Sequence, residues 1–273
     1  MPDHRPRSDD TDAPRPPRRE RRELPLCAPG SDGVDFVIRG YGEQLTRDTV
    51  WGEHSHAWGE LLWNERGASS AVVGARVWTI TPTMGLWMPA GTVHAGSASA
   101  GTRMRAAFFG YRTTPSISQR PVTVEITPLL RLLLDRLDEP GLANRSREVT
   151  EAMVLDVMTP AAHGLSVHLP TGPLLRRIAE AVREDPADRR GPAEWARELG
   201  VSTRTLARAF SAETGTSFGR WVTGVRAQHA IGLLTAGWDV ERVAAEVGYR
   251  SASAFGVAFR RATGLTPGRF RAE

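Results

Sequence analysis

Four side chains that can bind metal ions or exchange protons lie in the N-terminal half of the sequence: His54, His56, Glu60 and His94. Residues two apart on a β-strand share a face, so one strand is predicted to project the first three together. A turn at 89–91, Pro-Ala-Gly, is predicted to deliver His94 from another strand. Three imidazoles and a carboxylate are a donor set that suits Fe, Mn, Ni, Zn or Cu. The sequence thus predicts a candidate divalent-metal site. Two alternatives stay open: a metal-free pocket in which the histidines bind a ligand, and histidines that only pack in the core.

The segment around these residues, from about 34 to 111, has the sequence pattern of a β-rich domain. Short apolar runs are separated by Gly, Pro, Ser and Thr; they occupy 34–38, 71–73, 77–80 and 104–109. Many short strands at this spacing predict an antiparallel β-sandwich or barrel. The same region holds five of the tryptophans, at 51, 58, 63, 78 and 87. Most are expected in the core, and one or two are candidates for lining an effector pocket.

The stretch HSHAWGE at 54–60, followed by Gly67, and the stretch PAGTVH at 89–94 resemble the two cupin motifs. The resemblance implies a cupin-like barrel. The second stretch departs from the usual motif in two places. The glycine that precedes Pro89 is closer than usual, at Gly85, and Ala98 stands where an asparagine is expected.

The C-terminal part of the chain contains the same short pattern twice. The first copy is Ala196, Gly200, Ser202, Leu206, Phe210, Thr214, Gly215 and Trp221; the second is Ala244, Gly248, Ser251, Phe255, Phe259, Thr263, Gly264 and Phe270. In each copy a glycine suits a tight turn, a serine suits the N-cap of the next helix, and two apolar residues four apart form one buried stripe. Each copy therefore predicts a helix-turn-helix unit, whose second helix can enter the DNA major groove.

The repeated pattern resembles the AraC/XylS family of transcription regulators. The residues that carry the resemblance include STRTLARAF at 202–210, VGYRS at 247–251 and TPGRFR at 266–271. The match covers about the last hundred residues without a gap. It implies a double helix-turn-helix DNA-binding domain, and the sensor half of many such regulators is itself cupin-like.

The first recognition helix is predicted over 203–213, after the N-cap Ser202. The outward positions are Thr203, Arg204, Ala207 and Arg208, opposite the buried stripe. The resemblance aligns the last three with the base-contacting positions of the family. Either arginine could bind guanine through both guanidinium nitrogens; contact with phosphate alone and a solvated helix face remain the alternatives.

The second recognition helix is predicted over 252–262. Its outward side chains are short and offer few hydrogen-bonding groups. Candidate DNA contacts are Arg250, Ser251, Ala252, Ser253 and Gly256, mainly to phosphate or to a thymine methyl group. The hypothesis is that the first helix supplies most of the specificity, whereas the second positions the domain. A helix over 218–236 is predicted to hold the two recognition helices one DNA turn apart.

Composition excludes several classes of protein. The 273 residues carry a net charge of +4, and the sequence contains no lysine, so that all 35 strongly basic side chains are arginines. Cys27 is the only cysteine, which excludes a disulfide scaffold, a multi-cysteine zinc site and the cysteine-dependent alkylation-repair proteins. No apolar run approaches the ~18 residues that cross a bilayer, and no secretory start is apparent. A cytoplasmic protein without a membrane partner is expected.

The predicted fold class is α+β and multidomain. The predicted parts are a disordered tail over 1–25, a cupin-like sensor and dimerisation domain over 26–162, a linker over 163–172, and an AraC-type DNA-binding domain over 173–273. Apolar-rich helices are predicted at 128–138 and 148–158. Two roles are open for these helices: they form a homodimer interface, or they only cap the barrel.

These features predict a sequence-specific DNA-binding transcription regulator, not an enzyme, whose cupin-like domain senses a small-molecule or metal effector. The alternative is a metal-dependent cupin enzyme fused to a DNA-binding domain. The expected partners are double-stranded promoter DNA, a small-molecule effector, a second copy of the chain and, for an activator, RNA polymerase. The one candidate cofactor is a divalent metal in the cupin-like domain.

Overall fold

The structure is a computed structural model that describes residues 19–31, 33, 37–161 and 164–270. Its N-terminal half is built from strands. They are β1 (Glu20–Arg22), β2 (Ile38–Gln44), β3 (Thr49–His54), β4 (Gly59–Arg66), β5 (Ser69–Val73), β6 (Arg76–Ile80), β7 (Met84–Met88), β8 (His94–Ala98), β9 (Arg103–Phe109), β10 (Val122–Glu125) and β11 (Ser166–His168). The predicted apolar runs at 71–73, 77–80 and 104–109 are confirmed as strands. In the run at 34–38, residues 34–36 lie outside the described residues.

The strands form two sheets, in the orders β1-β3-β8-β5-β6-β11 and β10-β7-β4-β9-β2. Every pairing is antiparallel except that of β1 with β3. Ala71 and Ile80 of the first sheet pack with Leu86 and Met88 of the second. The two sheets therefore face each other, as the predicted sandwich or barrel requires, but the described strands do not join into one closed barrel.

Helices cover the outer face of the second sheet and then form the C-terminal half. They are α1 (Pro128–Leu137), α2 (Asn144–Val157), α3 (Pro173–Glu184), α4 (Pro192–Glu198), α5 (Thr203–Thr214), α6 (Phe218–Thr235), α7 (Val240–Glu246) and α8 (Ala252–Thr263), followed by a 3₁₀ turn at Pro267–Phe270. Leu130 and Leu134 of α1 and Val154 of α2 pack on Trp63 and Trp87 of the sheet. In the described ranges, no helix combines the length and apolar character needed to cross a bilayer. The predicted α+β class is confirmed.

The prediction of a disordered tail over 1–25 is wrong for its last part. Strand β1 pairs with β3, Glu20 opposite Thr49 and Arg22 opposite Trp51. The Arg22 guanidinium donates hydrogen bonds of 2.7 Å to both carboxylate oxygens of Glu43 and lies 5.5 Å from the Trp51 ring. Backbone pairing and charge-assisted hydrogen bonds order this segment in place of apolar burial. Residues 1–18 lie outside the described residues.

The predicted linker over 163–172 is more than a loop, because strand β11 lies within it. Ser166, Val167 and His168 pair with Trp78, Val77 and Arg76 of β6. The side chain of Val167 packs among the helices with Leu175, Trp221 and Val225. This strand thus belongs to the sheet by its backbone and to the helical half by its side chain.

Candidate DNA interface and histidine cluster

Helix α5 begins as its sequence predicts. The Ser202 hydroxyl accepts a hydrogen bond of 3.0 Å from the backbone N–H of Thr205. Leu206 and Phe210 are both fully buried, and the helix ends at Gly215 in the left-handed conformation, with φ of 69°. A residue with a Cβ is disfavoured there, so the glycine fixes where the helix stops.

The outward face of α5 carries the predicted base readers. Thr203, Arg204, Ala207 and Arg208 are all exposed. In the described part of the chain, neither arginine forms an ion pair with a carboxylate. Their guanidinium groups therefore remain available for an anionic or hydrogen-bonding partner, such as a phosphate or a guanine edge.

Helix α8 repeats the same construction with a different surface. The Ser251 hydroxyl accepts a hydrogen bond of 3.2 Å from Ala254 N–H, and Phe255 and Phe259 form the buried stripe. Outside this stripe, Ser253 is exposed and Val257 is 65% exposed. The predicted positions Arg250 and Ser251 are exposed just before the helix, whereas Ala252 and Gly256 are half-buried.

Helix α6 joins the two helix-turn-helix units. Its Trp221 and Val225 belong to the core of the first unit, and its Ala230, Ile231 and Leu234 belong to the core of the second. Eighteen residues of α-helix span ~27 Å. The two recognition helices are thus held by one rigid element, and their predicted separation by one DNA turn stays a prediction.

The four chemistry-bearing residues of the N-terminal half do meet inside the β domain, but not by the predicted route. His54 ends β3 and lies opposite His94, the first residue of β8. His56 lies in the connection between β3 and β4, and Glu60 lies on β4. The prediction that one strand carries the first three residues is wrong, because the chain turns between His54 and Glu60.

The three histidines form a compact cluster. Each offers a ring nitrogen that lies within 4.8 Å of the others. The ring centroids of His54 and His94 are 4.2 Å apart, and His56 stacks on Trp58 at 5.8 Å. Nε2 of His56 and Nε2 of His94 lie 3.5 and 3.6 Å from Oε2 of Glu60.

Backbone carbonyl groups orient two of the rings, a feature that sequence reasoning missed. Nδ1 of His54 lies 2.7 Å from the Gly52 carbonyl oxygen, and Nδ1 of His94 lies 2.9 Å from the Thr92 carbonyl oxygen. A carbonyl only accepts, so each Nδ1 donates its proton, and in a neutral ring the lone pair is then on Nε2. This is the arrangement by which proteins orient metal-binding histidines.

Burial disfavours the charged forms of Glu60, His56 and His94. It raises the pKa of the Glu60 carboxyl to about 8 and lowers the pKa values of His56 and His94 to about 4. The Glu60 oxygen nearest the histidines is buried and has no hydrogen-bond partner in the described residues. A buried polar atom without a partner is costly, and a cation held by the three Nε2 atoms would supply that partner. The donor set therefore fits a divalent transition metal.

Comparison with known proteins covers both halves. Residues 195–273 match a family described as a helix-turn-helix domain. The HTH-type transcriptional regulator NimR of Escherichia coli (strain K12) is 30% identical over 247 residues, which cover 88% of this chain and 88% of NimR. The HTH-type transcriptional regulator RipA of Corynebacterium glutamicum is 39% identical over 107 residues, covering 37% of this chain and 32% of RipA.

Solved structures also show similarity. A structure of ToxT from Vibrio cholerae is 12% identical, with a TM-score of 0.36, and covers 85% of this chain and 96% of ToxT. The C-terminal domain of AraT, a response regulator from Geobacillus stearothermophilus, is 28% identical with a TM-score of 0.35. It covers 37% of this chain and 84% of that domain. The likeness to NimR over nearly the whole length, together with the repeated helix-turn-helix pattern, shows that the chain belongs to the AraC family of DNA-binding transcription regulators.

Proposed function

We propose that the N-terminal half of this regulator binds a divalent transition metal at His54, His56, Glu60 and His94, and that the metal state controls DNA binding. One observation carries the proposal: the buried Glu60 oxygen has no hydrogen-bond partner in the described residues and faces two histidine Nε2 atoms. Oxygen and imidazole ligands together favour Zn, Fe, Mn, Ni or Cu. In this proposal the cluster is a sensor, and the protein is not an enzyme.

The DNA-reading residues are part of the same proposal. Helix α5 reads bases through Arg204 and Arg208, with Ala207 against the base edges and Ser202 and Thr203 near the backbone. Exposed guanidinium groups that have no ion pair in the described residues support this role. Helix α8 positions the domain through its own set: Arg250, Ser251, Ala252, Ser253 and Gly256.

Partners beyond DNA stay predictions. Helices α1 and α2 expose four large apolar side chains, Leu129, Leu132, Val149 and Met153. A homodimer through these helices would cover them, and sedimentation of the purified chain tests it. A small-molecule effector and, for an activator, a contact with RNA polymerase likewise stay predictions.

The metal proposal is tested by elemental analysis of untagged protein, beside a His54→Ala/His56→Ala double variant and a Glu60→Gln variant. We expect about one metal ion per chain, lost in the double variant and reduced in Glu60→Gln. His229→Ala is the matched control, because this exposed histidine lies on α6, away from the cluster.

The same samples are titrated with a DNA duplex selected from a random library, before and after removal of metal by a chelator. Metal removal should change the dissociation constant of wild type and leave the double variant unchanged. Absence of metal from wild type, or equal DNA binding in all metal states, would contradict the proposal.

A further inference from the structure

A cleft lies where the sheet meets the helical half, away from the histidine cluster. Its volume is ≈ 670 Å³, within the ~300–1,000 Å³ typical of small-molecule sites. One wall is formed by β11 and the start of β6. The other walls are formed by the turn between α5 and α6, the first turns of α6, and the end of α8. The cleft therefore touches the sensor half and both helix-turn-helix units.

Three arginines line this cleft, one from each of these parts: Arg76 on β6, Arg220 on α6 and Arg261 on α8. All three are exposed, and none of the described residues that line the cleft is acidic. Across the described ranges, none of the three side chains is ion-paired with a carboxylate. Positive charge concentrated in a concave site attracts anions.

The polar groups around the arginines are hydrogen-bond donors or can become donors. Helix α6 starts at this cleft, and the N–H groups of its first turn carry the positive end of the helix dipole. The hydroxyl groups of Thr216 and Ser217 also line the cleft, as does His168, which lies opposite Arg76 in the β11–β6 ladder. This set of groups suits the oxygens of a phosphate or carboxylate.

The cleft lies at the wrong end of the recognition helices to be part of the DNA-reading surface. The predicted readers of α5 begin at Arg204, whereas the cleft is lined by Thr214, ten residues or ~15 Å further along the helix axis. On α8, Arg261 is likewise near the C-terminal end. Strands β6 and β11 form one wall of the cleft, so its enclosed shape suits a small molecule.

We infer that this cleft binds a small oxyanion carrying two or more negative charges, a phosphorylated or polycarboxylate molecule, through Arg76, Arg220 and Arg261. One anion would then connect the sheet to both helix-turn-helix units. Binding of the anion stands independently of the metal proposal.

Isothermal titration of the full chain at constant ionic strength tests the inference, with pyrophosphate and citrate as separate probes and no DNA present. We expect saturable binding of at least one probe at about one molecule per chain. Arg76→Gln and Arg220→Gln should each weaken binding about tenfold or more, because each removes a charge-assisted contact. Arg145→Gln is the matched control, an exposed arginine at the start of α2, and should leave binding unchanged.

Three results would overturn the inference. They are no saturable binding of either probe, equal weakening by Arg145→Gln, and weaker DNA binding in Arg220→Gln and Arg261→Gln without any anion binding. The last result would assign these arginines to DNA phosphates instead. Repeating the titration in the His54→Ala/His56→Ala variant separates the two proposals, because the anion should still bind there even if the metal proposal fails.

Discussion

Helices α5 and α8 share one construction and present different surfaces. Both begin at a serine N-cap, bury an apolar pair four residues apart, and end at a glycine in the left-handed conformation, with φ of 69° at Gly215 and 79° at Gly264. Outside that frame, the first two turns of α5 present Arg204 and Arg208, whereas the first two turns of α8 present Ser253, Ala254 and Val257. Core packing fixes the residues that build the unit and leaves the outward positions free to differ. We interpret the difference as a division of labour between reading bases and positioning the domain.

The largest expected effect is a loss of stability on truncating the buried phenylalanines that both helices share. Phe210 and Phe259 are both almost fully buried, so Phe210→Ala and Phe259→Ala should each lower the free energy of unfolding by ~3–5 kcal/mol. Urea unfolding monitored by tryptophan fluorescence measures this. Val257→Ala, at an exposed position of α8, is the control and should change stability by less than ~0.5 kcal/mol. A much smaller loss in one copy would mean that the two cores are not equivalent.

Substitutions on the outward surfaces of the two units should affect DNA binding in different ways. Arg204→Ala or Arg208→Ala should reduce discrimination between the selected duplex and its single-base variants by ~1–3 kcal/mol, because a bidentate contact to guanine is lost. Arg250→Ala should weaken binding to all duplexes alike and reduce the salt dependence by about one counterion. Fluorescence anisotropy at several salt concentrations measures both. A change of preferred sequence in Arg250→Ala would contradict the division of labour.

The N-caps give the smallest effect. Ser202→Ala and Ser251→Ala should each cost ~1 kcal/mol of stability, since each leaves a first-turn N–H without its hydroxyl partner. Thermal unfolding compares the two variants with Ser253→Ala, a control at an exposed serine that is the second residue of α8 and not its N-cap. A larger loss of stability in Ser202→Ala than in Ser251→Ala would distinguish the two copies, because the Ser202 hydroxyl also lies 2.8 Å from the Thr205 hydroxyl. A destabilised Ser253→Ala would show that the loss is not specific to the caps.

The helical half was predictable because its signals are local. The caps at Ser202 and Ser251 and the stripes at 206/210 and 255/259 depend on spacings of three and four residues. Those spacings are visible in the sequence and hold in the structure. Helix ends agree with the predictions within a few residues.

The β half was less predictable because its decisive contacts are distant in sequence. Strand β1 contains no apolar side chain, and its Arg22 is held by Glu43, twenty-one residues away. The turn after His54 was missed because the alternation of residues continues through it, so the sequence offered no sign that the strand ends. The four residues named from the sequence lie close together in the structure, although the chain path that brings them together differs from the prediction. Their role as a metal site stays a prediction.

Strand β11 has a practical consequence for anyone who recombines such regulators. Leu165 packs in the core of the second helix-turn-helix unit and Val167 in that of the first, while the backbone between them pairs with β6. In a chimera joined at residue 163, β11 would come from the parent of the helical half and would have to pair with β6 of the other parent. A single inserted residue would turn both side chains to the opposite face. Functional hybrids are therefore expected only when β6 and β11 come from the same parent, or when the two are redesigned as a pair.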